Sequence, residues 1–376
     1  MNVLMVSKAL VVGVYQKKLE EVAKFADIHL TAVVPHAWGN KKFEKVHVNG
    51  YKLINSPITF NGNFHLHYYP HLKQILGETQ PDIIHIDEEP YNLATFHAMR
   101  LARKYHIKTV VFSWQNIKRF YPPPFNLMEK YVLHHANALI VGNAEARLVW
   151  QKKGYKGLLY EIPQFGVDPT IFYRHERVKR KSRLSMVVRQ SVRKPSQPTL
   201  VISFVGRLVP EKGVDILLNA AAKLKGPWMM KILGDGSERN RLEHTSQWLG
   251  IGGRVKFDEP IASTMIPHYL SGLDVLVLPS ISRRNWKEQF GRVLIEAMAC
   301  GVITIGSRSG AIPQVIGSAG LLFEEGNVDD LQRQLQRLID DVALRQTLRE
   351  AGRERVINHY TQSAIAHKTV EVYHAV

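Results

Sequence analysis

Two carboxylates, Glu288 and Glu296, stand eight positions apart in the run Glu288-Gln-Phe-Gly-Arg-Val-Leu-Ile-Glu296. At ~1.5 Å of rise per residue, that spacing on a helix separates them by about 12 Å. This is near the distance from a ribose to the sugar on a diphosphate, so each end of one nucleotide-sugar could meet one Glu. Gly291 breaks the pattern and predicts a helix that begins there. Glu288 then sits on the preceding loop, close to the amides of Phe290, Gly291 and Arg292. Glu296 lies among Ile295, Ala297 and Met298, which predicts a partly buried carboxylate in need of hydrogen-bond donors. A ribose offers two hydroxyls. Two ordinary surface glutamates are the plain alternative.

A second segment, Phe204-Val-Gly206-Arg207-Leu-Val-Pro-Glu-Lys212-Gly213-Val-Asp215, follows a predicted strand and leads into a predicted helix. Arg207 and Lys212 place a guanidinium and an ammonium at one loop mouth. A diphosphate needs such neutralisation, by the bidentate fork of Arg and the point charge of Lys. Gly13, after the first strand, would let backbone amides approach a phosphate. Gly234-Asp-Gly236 also follows a strand, but position 239 is Arg, so the G-x-G-x-x-G fingerprint is incomplete and a nicotinamide dehydrogenase is disfavoured. The Walker pattern is absent as well.

Two clusters bear on a second substrate. Asp87-Glu88-Glu89-Pro90-Tyr91 ends a predicted strand, where a carboxylate could bind hydroxyls or act as a base. Dipole complementation at a helix start is the bland reading. The stretch from Trp114 to Phe125, with Lys118, Arg119, Phe120 and Tyr121, mixes aromatic and basic residues. It could dock a saccharide or lipid-linked acceptor, touch a membrane, or simply pack. His65, His67 and His71 have no acidic or Cys partner at ligand spacing, so no metal is expected.

These residues need elements to position them. In the first half, Val3–Ser7, Ile28–Val34, Ile83–Ile86, Thr109–Ser113, Ala138–Val141 and Tyr160–Ile162 read as short apolar strands. Amphipathic helices are predicted at Gln16–Phe25, Leu66–Gly77, Leu93–Tyr105, Pro124–His135 and Glu145–Lys153. The pattern restarts with strands at Leu200–Val205, Trp228–Leu233, Arg254–Phe257, Val275–Leu278, Ile303–Gly306 and Gly320–Phe323. The helices between and after them are Asp215–Leu224, Ser237–Leu249, Val293–Ala299, Val328–Asp340 and Ala343–Asn358. Continuous apolar strands alternating with helices predict an α/β fold of two Rossmann-like, doubly wound domains facing across a cleft. The expected divisions are 1–171, a basic linker at 172–199, and 200–358, with a last helix at about 359–376, capped by Thr361, crossing back.

Length and charge bound the remainder. At roughly 150 residues per domain, 376 residues suit two domains. Apolar residues at 45% and charged residues at 22% exclude a disordered chain. One cysteine, Cys300, excludes a disulfide framework, and no apolar run reaches the ~20 residues of a spanning helix. MNVLMVSKAL lacks signal-peptide character, so a soluble cytoplasmic protein is expected. Of the net charge of +17, +8 falls in residues 172–199 and only +2 in the residues after 199. That block could attract an anionic membrane, a polyanion or an acidic substrate, or be a solvated linker.

Taken together the segments resemble the retaining glycosyltransferases of family 4, which have the GT-B fold. Val205–Gly213 looks like the family's phosphate loop, and Glu288 to Glu296 like its E-x7-E motif. Ile162-Pro-Gln-Phe-Gly-Val-Asp168 resembles the segment closing its first domain. The resemblance implies that Arg207 and Lys212 hold the donor diphosphate, with Gly13 and Gly206 near it, and that Glu296 binds the ribose. Glu288, with Phe290 and Gly291, would hold the transferred sugar; Gly234 and Phe257 would border the base. The donor would be a UDP-, GDP- or ADP-sugar, a substrate, so that no cofactor is expected. No D-x-D triplet is present, so the two cations are expected to replace a metal.

Three departures stand out. Ser113-Trp114-Gln115-Asn116 lacks the His that many members carry there, leaving Gln115 or Asn116 to orient a sugar; Glu88, Glu89 and Trp114 complete the acceptor-side candidates. Ser309–Gln314 lacks the acid often found after its Gly, and Asp258-Glu259-Pro260 replaces a commoner Gly-containing loop. A sugar-nucleotide epimerase or phosphorylase shares this architecture. A non-catalytic polyanion binder is a third reading, weakened by the near-neutral second half. No specific nucleic-acid partner is expected, while contact with the inner face of an anionic membrane is.

Overall fold

Short apolar runs without a polar face can be strands only if both sides of their sheet are covered. The computed structural model, which describes residues 1–174 and 199–376, builds two such sheets. The chain divides into one unit of Met1–Gly166 with Asn358–Val376 and another of Val167–Ile357.

The first unit contains β1 (Asn2–Val6), β2 (His29–Pro35), β3 (Ala37–Trp38), β4 (Lys41–Lys42), β5 (Lys52–Ser56), β6 (Ile83–Ile86), β7 (Lys108–Ser113), β8 (Ala138–Val141) and β9 (Leu158–Glu161). Its sheet runs β5-β2-β1-β6-β7-β8-β9, with every ladder parallel; β3 and β4 form a separate antiparallel hairpin. All four residues of β6 and all four of β8 are buried, as their unbroken apolar character requires. The order reverses between β1 and β6, so the loops at Ser7 and Asp87 leave the sheet at the switch point where α/β sheets bind ligands.

The second unit holds β10 (Leu200–Val205), β11 (Trp228–Leu233), β12 (Val255–Asp258), β13 (Val275–Leu278), β14 (Ile303–Ser307) and β15 (Leu321–Phe323). Their order, β12-β11-β10-β13-β14-β15, is again parallel and again reverses beside its first strand. The loops carrying Lys212 and Glu288 follow the adjacent strands β10 and β13.

The last helix, Gln362–Ala375, starts where the Thr361 hydroxyl accepts the Ala364 amide at 3.0 Å. It packs on the helix Lys17–Val22, and its Ile365, Val370 and Tyr373 join Val3, Met5 and Leu19 in one core. Gln362 fixes the return by hydrogen bonds to both the amide and the carbonyl of Gly166.

Several elements differ from the pattern reading. The helix expected over Leu66–Gly77 spans only Leu72–Thr79, because Pro70 cannot donate a helical hydrogen bond and disfavours helical geometry before it. The helix expected from Gln16 is preceded by a 3-10 turn, Gly13–Gln16, and ends at Val22. The half-exposed edge strand β5 has too little apolar alternation to be read. The short helices Ile266–Ser271 and Ile312–Ile316 carry a proline in their first turn and too few residues for periodicity. The basic run falls almost wholly at 175–198, outside the described residues. Among the described residues, no helix is long and apolar enough to cross a membrane.

Candidate functional site

In the second unit the site is assembled by two loops that only glycine can join. Gly213 precedes the helix Val214–Ala222 with φ +62, and a Cβ there would lie 2.1 Å from the Pro279 carbonyl oxygen. That approach sets Lys212 against the segment following β13. Its Nζ donates to Glu288 Oε2 at 2.5 Å and lies 5.1 Å from the centre of the Trp286 ring. Ser280 Oγ donates to the same carboxylate oxygen at 3.1 Å. The Glu288 backbone is held too: its carbonyl accepts the Ala311 amide at 3.0 Å, beneath Gly310.

Arg207 differs. It is exposed and has no ion-pair or hydrogen-bond partner among the described residues, so its guanidinium is available to an anion. Gly206 and Gly234 pack backbone to backbone, since a Cβ on Gly234 would fall 1.9 Å from the Gly206 oxygen. Arg239 braces this junction, donating to the Gly234 carbonyl at 3.1 Å and pairing with Glu259 at 2.9 Å. Its place in the incomplete G-x-G-x-x-G run thus has a structural use. Phe257 is half-buried on β12 beside Asp258, whose carboxylate accepts the Tyr269 hydroxyl at 2.9 Å.

The helix of the paired acids runs Arg292–Ala299, with Gly291 left-handed at its start (φ +72) and Phe290 buried beside it. Glu296 pairs with Arg292 at 2.7 Å, and burial raises its carboxyl above the ordinary glutamate range against the pull of that arginine. The donors it needs are therefore supplied from one turn earlier. Sequence reasoning missed the serines and the acid alongside: Ser282 donates through its amide (2.5 Å) and hydroxyl (2.9 Å) to Glu325, and its Oγ lies 2.9 Å from Ser309 Oγ. Ser282 thus links Ser309 to Glu325, an acid that lies just beyond β15.

In the first unit, Gly13 does not present a free amide. It donates to Glu44 Oε2 at 2.8 Å, and Val46 covers the space where a Cβ would stand. A phosphate there would have to displace a carboxylate.

The unit does contain a cavity of about 410 Å³ at the β1–β6 switch point. Trp38, Phe64, Trp114 and Tyr15 give it aromatic walls, and Asp87, Glu88 and Glu89 give it carboxylates. Asp87 accepts Ser7 Oγ at 2.6 Å and Gln164 Nε2 at 2.8 Å; Gln164 Oε1 accepts the Trp114 indole at 2.8 Å, fixing that ring. Glu88 pairs with the Lys8 ammonium, accepts the Lys8 amide at 2.9 Å, and lies 3.3 Å from His67 Nε2 without hydrogen bonding it. Burial lowers the Lys8 ammonium to about 8, opposed by Glu89 and Asp87. Burial also raises Glu89, which accepts Ser113 Oγ at 2.6 Å and the Trp114 amide at 2.8 Å.

Three of the five acceptor-side candidates, Glu88, Glu89 and Trp114, line this cavity; Gln115 and Asn116 do not. Gln115 bonds the Ile117 carbonyl and Lys153, and Asn116 bonds Glu145, because the chain turns inward after Trp114. Lys8, Trp38, Phe64 and Gln164 were missed; their distance in sequence hides a shared wall. The histidines diverge: His67 is buried behind Glu88, His65 stacks near Phe125, and His71 is exposed.

Residues 188–355 match the model of the glycosyl transferases group 1 family. The chain is 32% identical over 186 residues to the lipopolysaccharide core biosynthesis glycosyltransferase LpsE of Rhizobium meliloti, covering 49% of this chain and 52% of LpsE. It is 31% identical over 200 residues to D-inositol 3-phosphate glycosyltransferase of Mycobacterium tuberculosis, covering 52% of this chain and 39% of that protein. The chain thus spans about half or less of the curated relatives it matches. Sucrose-phosphate synthase from Thermosynechococcus elongatus superposes with a TM-score of 0.72 at 20% identity, over 100% of this chain and 98% of that one. Anabaena HepE in complex with UDP superposes with a TM-score of 0.73 at 16% identity, over 100% of both chains. The fold is therefore the GT-B arrangement of two Rossmann-like parallel sheets, and its second unit carries a glycosyl transferases group 1 domain.

Proposed function

We propose that the protein transfers a sugar from a nucleoside diphosphate sugar to a hydroxyl acceptor, with retention of anomeric configuration and without a metal. The observation that carries this reading is the Lys212–Glu288 pair at the β10–β13 switch point, with the exposed Arg207 on the same loop as Lys212. Arg207 and Lys212 would neutralise the leaving diphosphate, and this preorganised charge is what lets the anomeric carbon develop oxocarbenium character. Glu288 would hold hydroxyls of the transferred sugar, with Phe290 and Gly291 shaping that end. Glu296 would exchange Arg292 for ribose hydroxyls, while Gly234 and Phe257 border the base. HepE is bound to UDP, which makes UDP-sugars the first donors to test. The aromatic walls and carboxylates of the first unit's cavity suit a saccharide acceptor, a ring face on Trp38 or Trp114 and hydroxyls on Glu88 or Glu89. The expected setting is cytoplasmic, at an anionic membrane surface.

A thermal-shift panel of UDP-, GDP- and ADP-sugars tests the donor half. A donor at 100 times its Kd should stabilise by about 2.7 kcal/mol. Nucleoside diphosphate release should then persist in EDTA. No shift with any of the three classes overturns the reading, and loss of turnover in EDTA overturns its metal-independent part.

A further inference from the structure

Between β13 and Glu288 the chain leaves the sheet and turns back on itself. The Arg283 amide donates to the Trp286 carbonyl at 2.7 Å and the Trp286 amide to the Arg283 carbonyl at 3.2 Å, with Arg284 and Asn285 exposed at the tip. A turn of this kind, paired only with itself, is marginally stable at best in water. Yet its far end carries Trp286, 5.1 Å from the Lys212 ammonium, and Glu288 follows directly after Lys287. Whatever fixes the base of the turn therefore decides where these groups stand.

The base is fixed from beyond β15. Glu325 accepts the Ser282 amide at 2.5 Å on Oε1 and the Ser282 hydroxyl at 2.9 Å on Oε2, from 43 residues away. Ser282 Oγ also lies 2.9 Å from the Oγ of the buried Ser309. With the Ser282 proton given to Glu325, Ser309 donates to Ser282, and the row of hydroxyls ends on the carboxylate.

Two paths lead from this knot to Glu288. One runs back through Ser280, whose hydroxyl donates to Glu288 Oε2 at 3.1 Å. The other runs from Ser309 to Gly310 and Ala311, against which the Glu288 carbonyl rests. Ser307 Oγ holds the Ser280 carbonyl at 2.6 Å, so losing Glu325 should displace the turn and Glu288 without unravelling the end of β13.

We infer that Glu325 is a positioning residue: through Ser282 and Ser309 it sets the place of Glu288 and so the geometry of the Lys212–Glu288 pair. Its effect on turnover rests on the proposed sugar transfer, whereas its hold on the pair does not.

The neighbouring Glu324 supplies the control, being an exposed acid that pairs with Arg308 at 2.8 Å. In the full chain, Glu325→Ala should lower kcat for nucleoside diphosphate release on the order of tenfold. The thermal shift produced by UDP should persist, because Arg207 and Lys212 stay in place. Glu325→Gln should recover kcat to within about threefold of the parent, since its amide oxygen can accept the Ser282 amide while its Nε2 donates to Ser282 Oγ. Glu324→Ala removes the same charge and should leave kcat unchanged. A merely structural role would lower the melting temperature and spare kcat below the transition.

A second measurement needs no substrate. The double-mutant coupling of Lys212 with Glu288 in urea unfolding should fall to less than about half when the cycle is repeated in Glu325→Ala. Three results would overturn the inference: no coupling in the parent, an undiminished coupling in Glu325→Ala, or a kcat in that variant within about twofold of the parent's. A parent that turns over no nucleoside diphosphate sugar refutes the transfer reading instead, and the coupling then still decides the role of Glu325.

Discussion

Lys212 Nζ and Glu288 Oε2 lie 2.5 Å apart, with both side chains largely removed from solvent. The cation expected to meet a diphosphate and the acid expected to meet a sugar are partners before either ligand arrives. An ammonium has three donors, so Lys212 can keep Glu288 and still offer two protons to a phosphate. The pair, with the Ser280 hydroxyl, also fixes where the Glu288 carboxylate stands.

Glu288→Gln keeps the shape and removes the charge. We expect donor turnover, read as nucleoside diphosphate release, to fall by about 10²-fold or more in Glu288→Gln and in Lys212→Met. A double-mutant cycle on urea unfolding should give a coupling of about 0.5–3 kcal/mol between them. A coupling near zero with undiminished turnover would mean that the contact serves neither stability nor chemistry.

Arg207 should behave in the opposite way. Exposed and without a hydrogen-bond or ion-pair partner among the described residues, Arg207 should tolerate Arg207→Ala with a stability change of less than about 0.5 kcal/mol. The thermal shift produced by UDP should nevertheless shrink markedly. An intact UDP shift would remove Arg207 from the diphosphate.

Gly310 offers a test at one remove. Its φ is +52, and a methyl group added to it would stand 2.2 Å from the Glu288 carbonyl oxygen, so Gly310→Ala must push the Glu288 backbone away. Displacement of a positioned group by about 1 Å costs on the order of 10²-fold in rate. Turnover should fall by about that factor although Gly310 touches no ligand, and the UDP-induced shift, resting on Arg207 and Lys212, should fall much less.

The parts that could be read in advance are those in which neighbours in sequence remain neighbours in space. The start of the helix at Gly291 follows from the local sequence, as does the Thr361 cap. The strands β6, β8 and β13 are buried along their whole length and β10 nearly so, and their largely apolar runs make them legible; β11 is legible from the apolar residues around Lys231. What was hidden depends on long-range pairing. Glu44 reaches the Gly13 amide from 31 residues away and closes it, and Gln164 couples Asp87 to Trp114 across 77 and 50 residues. No spacing rule announces such contacts. Pro70 is a local signal, and it shortens the helix predicted from Leu66.

The first unit should also be acid-labile for an identifiable reason. His67 and His85 are both fully buried; burial lowers His67 to about 3, assisted by Lys8, and lowers His85 well below its ordinary value, assisted by Lys18. His85 Nδ1 lies 2.7 Å from the Tyr373 hydroxyl, and His67 Nδ1 lies 3.1 Å from the Asn63 carbonyl. With folded pKa values below the unfolded 6.5, the unfolded chain binds protons that the folded chain does not. Stability therefore falls as pH drops from 6.5 towards the folded values. Between pH ~6.5 and pH ~4, His67 alone should account for roughly 3 kcal/mol. Urea unfolding between neutral pH and pH ~4 should show a shallower loss of stability in His67→Gln and in His85→Gln than in the parent chain, whatever their stability at neutral pH. Parallel curves would show that groups other than these two histidines set the acid limit.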